Sequence, residues 1–207
     1  PTKGDIRPAM DAAAQARAYE RGGAAAISVL TEPDHFGGTL ADLESVREAV
    51  MLPILRKDFL VDPLQLFEAR LVGASAALII ARAVHPDEAR DLLSAAREIG
   101  LDVLFEVRDE RELEIGLGAG AKIIGVNNRD LESLEITDGH AERLIPLVPP
   151  ELTAVAESGV RSAEDVRRAA AAGAEAVLVG SILSAASDPA AALAALTTVP
   201  RVLRAQH

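Results

Sequence analysis

Three stretches place charged side chains where an apolar run would otherwise continue. In "PILRKDFLVDP" (53–63), Arg56, Lys57 and Asp58 stand between Ile54–Leu55 and Phe59–Leu60. In "LDVLFEV" Glu106 follows Leu104–Phe105, and in "LTAVAESG" Glu157 follows Val155–Ala156. A lysine and two glutamates on separate apolar runs can do proton transfer. The ammonium donates, a carboxylate accepts, and each shifts the other's affinity for a proton. Other runs end in polar groups too: Asn127, Asn128 and Arg129 in "GVNNRD", Arg108 after "FEV", and Gly180-Ser181 in "VGSIL".

If these runs are strands, successive side chains point to opposite faces. Lys57 then shares a face with Leu55, Glu106 with Leu104, and Glu157 with Val155. Arg56 points the other way, and Arg56 and Asp58 read as architectural. The parity predicts that Lys57, Glu106 and Glu157 converge. For a single charge at a strand end a structural ion pair is the better reading; three on different strands favour a site.

The elements that would position these groups follow from a repeat. Gly23-Ala24, Gly73-Ala74, Gly120-Ala121 and Gly173-Ala174 each precede an apolar run, at spacings of 50, 47 and 53 residues. Each follows a helical stretch such as "DPLQLFEARLV" or "SAEDVRRAAAA". The glycine reads as the left-handed residue that ends the helix. Three more runs lie between, so strand and helix alternate with a unit of roughly 25 residues, the signature of parallel strands covered by helices. The expectation is an α/β (β/α)8 TIM barrel with seven strand–helix units present, as a single domain over 1–207. Strands are expected near 24–30, 53–59, 77–81, 102–107, 122–127, 153–157 and 176–180. The repeat asks for one more before "AMDAAAQARAYERG", but "PTKGDIRP" (1–8) has two prolines and is polar, unfit for a central strand. The absent strand is therefore expected upstream of Pro1, the chain being N-terminally truncated.

In such barrels functional groups sit at the C-terminal strand ends, with phosphate held after the last two strands. "ESG" (157–159) and "VGSIL" place Gly with Ser directly after a strand, where backbone N–H groups at a helix start bind phosphate. The plainer reading is a strand-to-helix turn with a serine cap. "GLGAG" (116–120) imitates a dinucleotide fingerprint but precedes a strand, so it reads as a helix-ending turn. His35, His85, His140 and His207 have no metal-ligand spacing and read as surface residues, and "RDERELE" (108–114) reads as a solvated helix face.

Composition narrows the partners. A formal net charge of −11 argues against nucleic acid, so an anionic ligand needs a local set of donors. No run approaches the ~20 apolar residues of a membrane span, and zero cysteines fits the cytoplasm. A monomer is the expected state.

"PILRKDFLVDP", "FEV" followed by "RELEIGLGAGAKIIGVNNRDLESLEI", "VAESGV" and "VLVGSIL" together resemble indole-3-glycerol phosphate synthase of tryptophan biosynthesis, over essentially the whole chain. The resemblance implies a (β/α)8 barrel without metal or organic cofactor. It would close the ring of 1-(2-carboxyphenylamino)-1-deoxyribulose 5-phosphate, releasing carbon dioxide and water. By motif, Lys57 would be the general acid, poised among apolar walls to give up its proton, and Glu106 the acid/base of the dehydration. Glu157 and Asn127 would orient the lysine and the substrate hydroxyls, and Arg129 would take the anthranilate carboxylate. Ser158, Gly159, Gly180 and Ser181 would hold the phosphate. Phe36, Phe59, Leu78 and Ile80 would wall the aromatic ring.

Two departures stand out. Arg108 occupies a place where a neutral or weakly basic residue is expected. The family's Glu-x-Lys and Ser-Pro-Ser at the end of the first strand, and its N-terminal helical extension, would lie upstream of Pro1. Two other readings stay open from the residues: another phosphate-binding barrel enzyme of the same pathway, and an inactive barrel fragment that at most binds phosphate.

Overall fold

A computed structural model describes residues 11–130, 135–137 and 139–202. Seven parallel strands form one sheet in chain order: β1 Ile27–Leu30, β2 Ile54–Lys57, β3 Ala76–Ile80, β4 Asp102–Val107, β5 Ile123–Asn127, β6 Thr153–Glu157 and β7 Ala176–Leu178. All seven expected strands are present, with β1, β2 and β7 shorter than the apolar runs suggested. Among the described residues no pairing joins β1 to β7. The "PTKGDIRP" segment, and with it the question of an eighth strand, lies outside the described residues.

The helices start where the sequence supplies caps. Asp11 accepts from Ala14 N–H at the head of α1 (Ala12–Arg21). After the single-turn α2 (Pro33–Phe36), Thr39 and Asp42 form a capping box on α3 (Leu40–Ala49). Asp62 and Gln65 do the same on α4 (Pro63–Leu71), with Pro63 in the first turn, where its missing N–H costs nothing. Then follow α5 (Pro86–Glu98), α6 (Glu110–Ala119), α7 (His140–Leu144), α8 (Ala163–Ala171), α9 (Ser181–Ala185) and α10 (Pro189–Leu196). The four repeat glycines all adopt positive φ, 89° at Gly23, 92° at Gly73, 88° at Gly120 and 101° at Gly173, as their place between helix and strand requires. "GLGAG" accordingly ends α6. No helix among the described residues is long and apolar enough to cross a membrane.

Strand alternation divides the interior in two. Ile54, Ile79, Phe105, Ile124 and Ala154 pack outward against the helices in a continuous core. Each large side chain fully buried there contributes about 1.5–3 kcal/mol. Leu55, Leu78, Ile80, Leu104 and Val155 face the other way and form a smaller inner cluster. The sheet must curl around that cluster. Adjacent strands lie ~4.8 Å apart, so β2 and β6 would be roughly 19 Å apart in a flat sheet. Yet Lys57 on β2 reaches Glu157 on β6 at 3.4 Å.

Candidate active site

The inner cluster is a floor, and the charged residues stand on it at the C-terminal ends of the strands. Lys57 Nζ donates to Glu106 Oε2 at 3.2 Å and to Glu157 Oε2 at 3.4 Å. Asn127, paired in register with Glu157, donates its Nδ2 to Glu106 Oε1 at 2.9 Å, while its Oδ1 accepts from Arg129 N–H at 2.9 Å. Asn127 thus fixes the second carboxylate and the start of the loop that carries Arg129. Glu106, Glu157 and Asn127 are buried, whereas the Lys57 side chain remains 25 % exposed.

Burial alone would push the Lys57 ammonium down, but Glu157 and Glu106 beside it hold it above the ordinary lysine value. Lys57 is thereby kept in its charged form, the form that can donate a proton. Glu157 moves the other way from an ordinary carboxyl: burial and the neighbouring Glu106 push it up to about 8, against the pull of Lys57. A proton kept on Glu157 lowers the negative charge beside the Lys57 ammonium, as a low-dielectric floor favours.

The other sequence candidates fall into three groups. Ile80 is level with Glu106 in the β3–β4 register, and Leu78 lies two residues deeper in the floor. Phe36 and Phe59 stand at the rim, half-exposed, with ring centroids 6.3 Å apart. Glu32, a residue the sequence reading missed, holds Phe36 there: it is buried and accepts from the backbone N–H of Asp34, His35 and Phe36.

The serine–glycine pairs form the third group. Ser158 has φ 62° and Gly159 φ 82°, so two successive left-handed residues turn the chain sharply off β6. A serine held in that conformation is a mark of functional loops. Asn128 fixes the turn by donating to Ser158 O at 3.0 Å and accepting from Ala141 N–H. Gly180 and Ser181 are exposed at the start of α9. Val160 and Leu183 share a satellite apolar cluster, which ties the two loops together. Neither serine is a side-chain helix cap: Ser162 caps α8, and α9 has no side-chain cap.

Around the mouth the structure corrects two surface readings. Glu112, expected on a solvated helix face, is buried; it pairs with Arg82 at 3.2 Å and accepts from Arg108 N–H at 2.7 Å. His140 is half-buried at the start of α7, its ring nitrogen against the Arg108 carbonyl. His85 heads α5 and His35 lies in α2, while His207 is outside the described residues. Arg108 itself pairs through Nε with Asp130 at 3.2 Å. It lines a small cavity of about 10 Å³ with Glu106, Asn127 and Arg129.

A family model of indole-3-glycerol phosphate synthase matches residues 1–196. The chain belongs to this family. An indole-3-glycerol phosphate synthase of a Nocardioides species is 50 % identical over 199 residues, covering 96 % of this chain and 76 % of the relative. One of Streptomyces griseus is 50 % identical over 196 residues, covering 95 % of this chain and 73 % of the relative. Among solved structures, thiamine phosphate pyrophosphorylase from Pyrococcus furiosus superposes with a TM-score of 0.71 at 16 % identity, covering 93 % of this chain and 89 % of that one. The N-acetylmannosamine-6-phosphate 2-epimerase from Clostridium perfringens gives 0.68 at 17 %, covering 86 % and 82 %. At such identities these two speak for the barrel-type fold alone.

Proposed function

We infer that this site closes the indole ring of 1-(2-carboxyphenylamino)-1-deoxyribulose 5-phosphate, forming indole-3-glycerol phosphate with loss of carbon dioxide and water. The observation that carries this reading is the Lys57 amine held between two buried carboxyls above an apolar floor. Lys57 gives its proton to the substrate's ketone oxygen as the ring carbon attacks. An ammonium held by two carboxyls releases a proton only to a stronger base, and the alkoxide forming at that oxygen is one. Carbon dioxide then leaves the ring carbon that carried it. Glu106 handles the proton that accompanies loss of the new hydroxyl as water, and Glu157 and Asn127 keep the lysine and that hydroxyl in line.

Arg129 takes the anthranilate carboxylate with its planar fork. Phe36, Phe59 and Ile80 flank the aromatic ring over Leu78. The hydroxyls and N–H groups around Ser158, Gly159, Gly180 and Ser181 hold the phosphate; in a chain of net charge −11 such local donors must do that work. We take the 207 residues to act as one domain, as a monomer in the cytoplasm. The test is to incubate this chain with the substrate and follow indole fluorescence. Product formation that disappears in Lys57→Ala supports the reading. A folded chain without turnover at high enzyme concentration sinks it.

A further inference from the structure

Gly125 sits in the middle of β5 on the face that carries Asn127, level with Glu106 on β4 and Val155 on β6. Its φ is not positive, so the backbone does not ask for glycine there. A strand interior ordinarily prefers any residue with a side chain. What Gly125 lacks is room. A Cβ at this position would stand 2.0 Å from Glu157 Oε1, 3.1 Å from Glu157 Cδ and 3.1 Å from Leu104 Cδ1. Glu157 Oε2 is engaged by Lys57, and Oε1 is buried with no hydrogen-bond partner among the described residues. The carboxyl therefore lies folded down over Gly125, in a hollow left by the missing side chain.

We propose that Gly125 is a positioning residue: the hollow above it seats the Glu157 carboxyl between Glu106 and Lys57. This rests on reading those three residues as the reacting cluster. A methyl group at 125 would push the carboxyl out of its seat, away from Glu106 and toward the open lumen. Both causes that raise Glu157, burial and the neighbouring carboxyl, would then weaken.

A two-residue cycle tests this without needing turnover. Gly125→Ala should lower Tm by about 3–10 °C, as overpacking of a buried site does. In a Glu157→Ala background the same change should leave Tm level or raise it. The protonated-carboxyl infrared band that Glu157→Ala removes should persist to a lower pH in Gly125→Ala than in the parent. If Gly125→Ala is too unstable to purify while the double variant folds, that is the same coupling at its limit. Equal Tm losses in both backgrounds, a double variant that also fails to fold, or an unmoved carboxyl band would overturn the proposal. Where the parent turns over, Gly125→Ala should lower kcat about 10- to 100-fold, and the loss should vanish in the Glu157→Ala background. A parent with no turnover but with the Tm coupling intact would reject the enzymatic reading and keep the seat.

Discussion

Arg56 and Lys57 are neighbours on β2, both cationic and both paired with carboxylates, yet they belong to different regions of the molecule. Arg56 points to the helix side. Its Nε donates to Thr31 Oγ1 at 3.1 Å, one Nη to Gln65 O at 2.8 Å and the other to Asp58 Oδ2 at 3.0 Å. Thr31 in turn donates to Asp58 at 2.6 Å. The result is a closed network that joins β1, β2 and α4 and leaves Arg56 only 4 % exposed. Lys57 faces the lumen, where it lies between the buried carboxyls of Glu106 and Glu157 and its side chain stays partly exposed. The lesson is that a buried ion pair is architecture when its geometry is saturated. It is chemistry when neighbours shift a member's proton affinity and one member stays accessible.

The comparison can be broken in stages. Lys57→Ala should lower kcat by about 10²–10⁴-fold, the range of a lost general acid, while Tm stays within a few degrees of the parent. Steady-state kinetics beside a thermal melt reads both, and a large Tm loss would make Lys57 structural. Arg56→Ala should do the reverse. Removing one partner of a buried network costs about 3–5 kcal/mol, or roughly 6–20 °C in Tm for a chain of this size. Whatever folded fraction remains should keep its kcat, and a kcat loss without destabilisation would move Arg56 into the reacting set.

Arg129→Ala sharpens the contrast between binding and chemistry. Loss of a charged hydrogen bond of about 1.5–3 kcal/mol should raise KM roughly tenfold or more, with kcat little changed. An unchanged KM would remove Arg129 from carboxylate binding.

The remaining test is pH dependence. Glu157 titrates near 8 in the fold against an ordinary 4.5, so the folded state holds an extra proton between these values. Stability from this group therefore declines as pH rises from about 4.5 to 8. Lys57, raised above its ordinary value, contributes stability that is lost only as pH rises through its folded value, well above that window. Glu157→Gln cannot titrate, so its Tm should gain on the parent as pH rises from 5 to 8. Parallel Tm curves would show that Glu157 is not held protonated.

Much of this was legible beforehand because it is local. Side-chain parity separates Arg56 from Lys57 within two residues, and the Gly-Ala steps mark helix ends through a backbone requirement of one residue. Glu112 was misread for the opposite reason. Its run "RDERELE" is polar throughout, and its burial depends on Arg82, 30 residues away, and on the backbone turn at Arg108. Glu32 escaped notice because a carboxylate capping a single helical turn has no pattern beyond that turn. Gly125 carries no sequence signal beyond that of a small residue in an apolar strand.

By itself the sequence determined the alternation of strand and helix, the face on which each strand-end charge lies and the family to which the chain belongs. These follow from periodicities and motifs contained in short segments. Tertiary structure alone decided that Lys57 is held protonated, that Glu157 keeps its proton to about 8 and that the latter's carboxyl rests over a glycine. Those properties depend on ångström separations between groups 49 and 100 residues apart in the chain, and on how much water the curled sheet leaves around them.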